Sequence, residues 1–445
     1  AQGFDKVRGE AVVSSKAPSL PRYESYKDSG VEWLGEVPSH WEVKRNLGLF
    51  YERKEIDHPE MELLSVTINR GVIRQEEITE KKDRSNEDKA KYKVVRKHDL
   101  AYNKMRMWQG AIGCSEYNGI VSPAYIILKP KDELYSRFFH YLYRTDIFID
   151  EANRHSYGLC LDMNSLRYED FKTIYSPLPP RNEIQRIVDF LNEKTAEIDT
   201  AIAKKERLIE LLQEQKSILI NQAVTRGLNP DVPTKDSGVE WIGEIPAHWI
   251  TKRLKQISAF ITSGPRGWSE RLSDNGAIFL QSGDLNDSLG IELKTANRVV
   301  VPNGAEAKRT RLVDGDILIC ITGANTGRIA IAQTDGQEVF INQHLSLIRI
   351  HGVDPRFIAY SLDSQGATYF YLCQYGLKEG LGLFDVANAL VGLPPIGEQN
   401  KIVEYIEGVA QTIDKVVLRQ NRQLDLLRET RRILISSAVT GKIKV

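Results

Sequence analysis

The feature that most constrains this chain is an internal duplication. Residues 27–45 read KDSGVEWLGEVPSHWEVKR and residues 235–253 read KDSGVEWIGEIPAHWITKR, identical at 14 of 19 positions and offset by 208. Self-similarity of this kind marks a tandem repeat in which each copy is one structural module. A second pair of segments lies at an offset of 215: Leu178-Pro179-Pro180 answers Leu393-Pro394-Pro395, and Ala223-Val224-Thr225 answers Ala438-Val439-Thr440. The order is therefore motif, variable region and closing segment, written twice.

Each closing segment begins behind a Pro-Pro pair, which cannot continue a helix backwards, and carries Glu183 or Glu398 where the positive end of a helix dipole favours a carboxylate. In the first copy Ile184, Val188, Leu191, Thr195, Ile198, Ile202, Lys205, Ile209, Leu212, Lys216, Leu219 and Ala223 recur at alternating spacings of four and three. The second copy repeats that register with Gln399, Val403, Ile406, Ala410, Ile413, Val417, Gln420, Leu424, Leu427, Arg431, Leu434 and Ala438. Two helices follow, over 179–225 and 394–445, and two heptad stripes of equal length are expected to pair as a coiled coil. Lys205 and Lys216 interrupt the first stripe and are expected to face acidic or amide partners on the other helix. A single stripe could equally pack on its own domain, but duplication in register favours pairing.

Direction also follows from lengths. A helix over 182–222 is about 60 Å long, whereas the stretch between Ala223 and Lys235, with Gly227, Asn229, Pro230 and Pro233, spans at most about 40 Å. An antiparallel pair with a pseudo-twofold relation satisfies both lengths, placing one variable region at each end.

The chain has 445 residues, enough for about three average domains. Basic and acidic residues balance at 60 each, which argues against a uniformly basic nucleic-acid binder. Between Lys91 and Lys131, however, eight basic residues face only Asp99 and Glu116. The longest apolar runs, such as 317–321, are too short to span a bilayer. Residues 1–25 read as a polar tail without a secretory or transit pattern. Four cysteines, Cys114, Cys160, Cys320 and Cys373, lack CxxC spacing and fit reduced core thiols in a cytoplasm better than disulfides or a zinc site.

The variable regions share short β-rich segments. Asp99-Leu100-Ala101-Tyr102 answers Asp316-Ile317-Leu318-Ile319, 121–128 answers 341–348, and Tyr157-Gly158-Leu159 answers Tyr375-Gly376-Leu377. One α+β fold with two different surfaces is the arrangement expected for reading two unlike half-sites of DNA. The domain reading is a tail at 1–25, modules at 26–178 and 235–393, helices at 179–225 and 394–445, and a linker at 226–234.

KDSGVEWLGEVPSHW, the segments around GDILICITGANTGRIAI and INQHLSLI, and the LPPxxEQxKIV start of the second helix resemble the specificity subunits of type I restriction-modification enzymes. The resemblance runs nearly the length of the chain. The first copy departs from it, lacking Gln after Glu183 and carrying Tyr102-Asn103-Lys104-Met105 in place of a Gly-rich turn. It implies an α+β fold of two β-rich target recognition domains joined by two long helices in an antiparallel coiled coil. It further implies that two methyltransferase subunits and restriction subunits assemble with the chain, the cofactors S-adenosylmethionine, ATP and magnesium belonging to those partners, and that double-stranded DNA is the ligand.

Catalytic motifs are missing in a consistent way. Gly323-Ala324-Asn325-Thr326-Gly327 lacks the Lys of a phosphate loop, no GxGxxG occurs, and the LPP segments lack the acceptor with which an amino-methyltransferase holds a flipped adenine. No metal site is expected. His40 and His248, beside Trp41 and Trp249, are better suited to packing or turns than to catalysis. Side-chain chemistry nominates DNA contacts at turns after strands: Lys104, Arg106, Trp108, Gln109, Ser122, Arg154, His155 and Tyr157 in the first module, and Arg266, Trp268, Arg271, Thr322, Asn325, Thr326, Arg328, Asn342, Gln343 and His344 in the second. Trp108 and Trp268 could equally be core. The coiled-coil contacts are expected from Val188, Leu191, Ile198, Ile202, Ile209 and Leu212 against Val403, Ile406, Ile413, Val417, Leu424 and Leu427. Two further classes stay open: an enzyme with an unrecognised cofactor site, and a coiled-coil protein-binding scaffold without sequence-specific DNA recognition.

Overall fold

The computed structural model describes residues 21–68, 70–77, 89–158, 164–374 and 380–445. Cys160, Leu159, the Tyr375-Gly376-Leu377 segment and most of the N-terminal tail lie outside the described residues. The chain divides into two compact units, one gathering Ala1–Lys205 with Arg422–Val445, the other Glu206–Asn421.

The first unit is built on a four-stranded antiparallel sheet of β1 (Phe50–Glu52), β2 (Leu100–Asn103), β3 (Ile112–Cys114) and β4 (Tyr125–Pro130), in the order β1-β4-β2-β3. The second repeats it with β5 (Ser258–Ser263), β6 (Ile317–Cys320), β7 (Ile329–Ile331) and β8 (Leu345–Ile350), in the order β5-β8-β6-β7. Sequence and structure thus share the same duplication. The residue before each central strand, Asp99 or Asp316, is buried and is held by a guanidinium: Arg53 Nε donates to Asp99 at 2.6 Å, and Arg349 Nε to Asp316 at 2.8 Å. A buried carboxylate without such a partner would be costly, and each sheet meets the need with an arginine from a different strand, just after β1 in the first and within β8 in the second.

A pair of short strands closes the base of each variable region. Glu42–Arg45 runs antiparallel to Tyr175–Leu178, and Ile250–Arg253 to Leu390–Leu393. Both ends of each region therefore leave the scaffold side by side. The repeated motif itself forms a hairpin, with Lys27 opposite Val37 and Lys235 opposite Ile245. Gly30, Gly35, Gly238 and Gly243 take positive φ there, which explains the glycines of the KDSG segment and of the Gly-Glu step after it.

The two long helices run over Arg181–Arg226 and Ile396–Val439. Every position of both heptad stripes is buried or half-buried, whereas the positions between are mostly exposed. In the first unit Lys205 donates to Gln423 and Arg431 to Asp199, so position falls on one helix as it rises on the other. In the second unit Lys216 meets Asp414 at 2.8 Å, while Gly227 approaches Glu398. The helices pair antiparallel in each unit, and the two lysines of the stripe face an amide and a carboxylate, as expected from sequence. Each core takes in the start of one helix and the end of the other: Ile184, Val188 and Leu191 with Ala438 and Val439 in the first, Ile402, Val403 and Ile406 with Ala223 and Val224 in the second. Tyr23, assigned to the tail on sequence, is buried in the first core against Trp41. Among the described residues no helix is long and apolar enough to cross a membrane.

Candidate nucleic-acid interface

Antiparallel pairing brings the C-terminal ends of β1 and β2 to the same sheet edge as the N-terminal ends of β3 and β4, and the corresponding ends of β5 to β8 meet likewise. In the first unit this edge carries the turn from Asn103 to Ala111, closed by Asn103 N–H donating to Ala111 O at 3.0 Å. Lys104, Arg106, Trp108 and Gln109 lie on it, Arg106 and Gln109 exposed and Lys104 and Trp108 half-buried. Lys104 N–H bonds Ala124 O, bringing the Ser122 turn alongside. Gly110 occupies the position matching Gly327, with φ 77° against 92°. A trace of the Gly-rich turn therefore survives in the first copy, and its offset of 217 was the signal for it.

Arg154 and His155 end the helix Asp146–Arg154, where both lie beside Glu151, His155 Nε2 at 3.2 Å and Arg154 Nη1 at 3.6 Å. Tyr157 beyond them is 71% exposed, a large aromatic ring presented to solvent. The structure thus gathers Lys104, Arg106, Trp108, Gln109 and Ser122 on one edge and places Arg154, His155 and Tyr157 at the end of a helix that packs against the same turn, through Ile149 and Gly110.

In the second unit the turn from Cys320 to Arg328 has Gly323 and Gly327 at φ 94° and 92°, conformations that suit glycine. Several candidates brace this turn. Asn325 Nδ2 donates to Ser282 O at 3.1 Å, Thr326 Oγ1 to Gly323 O at 2.6 Å, and Arg328 Nη1 to Leu285 O at 2.9 Å while Nη2 lies 3.1 Å from Asp287. Asn342 is buried and accepts the His344 N–H, which makes it a turn-former as it stands. Trp268 is 3% exposed, packed on Phe279 and Phe340 in a satellite core. Its ring is a core ring and offers no surface to DNA in this conformation, a correction to its nomination: the arginines on either side signal a surface, but the tryptophan anchors the segment.

What remains outward is a chain of polar groups. Thr322 Oγ1 hydrogen-bonds His344 Nδ1, and His344 Nε2 lies 3.1 Å from the Gln343 amide nitrogen. Gln343 Oε1 is buried without a partner among the described residues, an acceptor left to be satisfied. Arg266 and Arg271 are exposed. Gly264, whose backbone presses on Asn342, brings the Arg266 segment against the His344 turn.

The repeated motif finds its role here too. His40 Nε2 and Trp41 Nε1 bond the two oxygens of Glu183 at 2.7 and 2.9 Å, and His248 and Trp249 bond Glu398 at 2.8 and 3.2 Å. Burial alone would raise the Glu183 carboxyl, but the bonds from Trp41 and His40 outweigh it and hold the group below the usual carboxylate range. These histidines orient helices. Sequence placed the glutamates at helix starts but could not pair them with residues some 140 positions away. Cys114 and Cys320 are buried and Cys373 half-buried, and none of the three is in a disulfide among the described residues. Among the described residues no group of three or more His, Cys, Asp or Glu side chains could hold a metal ion.

The fold is a duplicated α+β module on paired antiparallel helices, each copy presenting a polar edge of its sheet, and known proteins share that architecture. The chain is 23% identical over 441 residues to the putative type I restriction enzyme MjaX specificity subunit of Methanocaldococcus jannaschii, covering 93% of this chain and 96% of that one. It is 23% identical over 364 residues to the type I restriction enzyme EcoBI specificity subunit of Escherichia coli, covering 76% and 72%. Among solved structures, a chain from a study of complex assembly and conformational transition of the type I R-M system matches with a TM-score of 0.70 at 16% identity, over 91% of this chain and 98% of that one. The HsdS subunit of Thermoanaerobacter tengcongensis matches with a TM-score of 0.52 at 18% identity, over the same shares. No family model matches the chain. Over most of its length the chain is thus similar in sequence to specificity subunits of type I restriction enzymes and shares their fold.

Proposed function

We propose that this chain is the non-catalytic DNA-recognition subunit of a type I restriction-modification complex, reading an asymmetric bipartite target and directing adenine methylation and cleavage by partner subunits. The observation that carries the proposal is the matched pair of sheet edges. The same strands, in the same order, present different polar side chains in the two units: Lys104, Arg106 and Gln109 on one, and Arg266, Thr322, Gln343 and His344 on the other. Equal scaffolds with unequal surfaces suit two unequal half-sites, whereas equal surfaces would suit a palindrome.

Two methyltransferase subunits, restriction subunits and double-stranded DNA are the partners in this reading. S-adenosylmethionine, ATP and magnesium serve those subunits, and the cytoplasm is where they meet. Arg and Lys at the edges supply the salt-dependent attraction to phosphates, and the amides and imidazole supply donors and acceptors for base edges. DNA-binding measurements test this with the full chain alone and with its cognate methyltransferase. The chain alone should bind weakly, with strong salt dependence, and addition of the methyltransferase should sharpen sequence selectivity. Methylation by the isolated chain would contradict the proposal.

A further inference from the structure

The first unit contains a cleft of about 780 Å³ that lies apart from the turns just described. One wall comes from the helix Glu133–Leu142 and the residues after it, which bring His140 and Arg144; the other is the second long helix, which brings Arg428, Arg431 and Arg432; Arg70 completes the lining. Five guanidiniums line this space with a single carboxylate, Asp146.

Burial, and then the neighbouring Arg431, pull Arg144 down to about 10. Burial, and then Arg144, Arg137 and Arg431, hold His140 down to about 3, so its ring is neutral near pH 7. The His140 Nδ1 atom accepts the Cys114 N–H at 3.1 Å, which leaves the ring proton on Nε2 as a donor. Arg144 donates to Ile112 O at 2.8 Å and Ile68 O at 2.6 Å, which fix its fork at the cleft wall. The other arginines meet carboxylates at the surface: Arg70 with Glu77, Arg431 with Asp199, Arg432 with Asp146 at 2.9 Å and Arg428 with Asp425 at 3.7 Å. Exposed pairs of this kind contribute little net stability and can exchange for a better acceptor.

The duplication provides an internal control. At the offset of 215, positions 428, 431 and 432 correspond to Gln213, Lys216 and Ser217. The second unit has a cleft of about 510 Å³ that shares only Ile218, Asn221 and Gln222 with the matching stretch of the first long helix, and Arg226 is the one arginine among its lining residues. The three arginines of the second long helix therefore have no arginine counterparts in the first long helix.

We infer that the cleft of the first unit binds a phosphate group, held by guanidinium forks from Arg428, Arg431 and Arg432 and by the Arg144 and His140 wall. Planar forks match phosphate oxygens in pairs, and several can share one phosphate in exchange for the separate carboxylates that Arg428, Arg431 and Arg432 meet. The volume is also that of a small-molecule site. The phosphate is either a backbone phosphodiester of DNA or part of a free phosphate-bearing molecule.

The test uses the full chain and the double variant R428Q/R432S, which installs the residues of the second copy at two exposed positions. Unchanged circular dichroism and melting confirm that the variant folds. Calorimetric titration with inorganic phosphate and with pyrophosphate, at low ionic strength, should show one site per chain, weakened at least tenfold in the variant. A parallel titration with a short duplex of arbitrary sequence separates the sources. Weaker duplex binding with a shallower salt dependence in the variant assigns the site to the DNA backbone. Unchanged duplex binding with lost phosphate binding assigns it to a free phosphate-bearing ligand. Equal behaviour of the two proteins toward phosphate, pyrophosphate and duplex would overturn the inference.

Discussion

Trp249 donates its indole N–H to Glu398, 149 positions further along the chain, at 3.2 Å, and Trp41 makes the same bond to Glu183 over 142 positions at 2.9 Å. The repeated motif is thereby fastened to the first turn of a long helix in each unit. Both tryptophans are fully buried, so each fastening joins a large apolar anchor to a charged acceptor. The amide of Glu183→Gln retains only one acceptor oxygen where Trp41, Tyr23 and His40 all bond the carboxylate. Loss of this charge-assisted bond should cost about 1–3 kcal/mol, read as a lower urea midpoint.

The same residue sets a pH dependence. Because Glu183 is held below its unfolded value, its contribution is complete above the unfolded pKa of about 4.3 and is lost as pH falls through the folded value. Stability measured from pH 6 downward should therefore fall less steeply in Glu183→Gln than in the parent chain. Equal slopes would show that the carboxylate is not the group being protonated.

Trp268 and His344 separate packing from reading. Trp268→Ala removes a buried ring and should cost about 3–5 kcal/mol while leaving the recognised sequence unchanged. His344→Ala, at an exposed position, should change stability by less than about 0.5 kcal/mol and relax base preference at one half-site. The paired variant Lys104→Ala with Arg106→Ala should weaken binding to all sequences and flatten the salt dependence by about one per lost phosphate contact. Competition binding against a panel of site variants distinguishes these outcomes.

The closing strand pairs make each variable region an exchangeable insert, because Ile250 opposite Leu393 and Glu42 opposite Leu178 fix both of its ends on the scaffold. Replacing 250–391 with the corresponding region of another specificity subunit should alter only one half of the methylated sequence. A change in both halves would mean that the units do not read independently.

Sequence made the scaffold legible because its signals are local or periodic. The heptads gave the helices, linker length gave their direction, and the shared offsets gave the duplicate sheets, down to Asp99 and Asp316. Long-range pairings were not legible. Nothing in the spacing of His40 and Trp41 points to Glu183, and Tyr23 reads as tail because a lone tyrosine among polar residues carries no period. Turn chemistry was only half legible: Asn325, Thr326, Arg328 and Asn342 have the right groups for DNA, yet the same groups tie down a tight turn. The arginines of the first cleft escaped notice because Arg70, Arg144 and Arg428 are far apart in sequence and gather only on folding.

The central claim, that two unlike surfaces on one duplicated scaffold read two unlike half-sites, is tested most directly by mapping methylated bases in DNA from cells that carry this chain with its cognate methyltransferase. The expected result is adenine methylation at one asymmetric sequence of two specific parts separated by a fixed nonspecific spacer, absent when the chain is deleted. Methylation at a palindrome, at a single uninterrupted sequence, or unchanged by the deletion would contradict it.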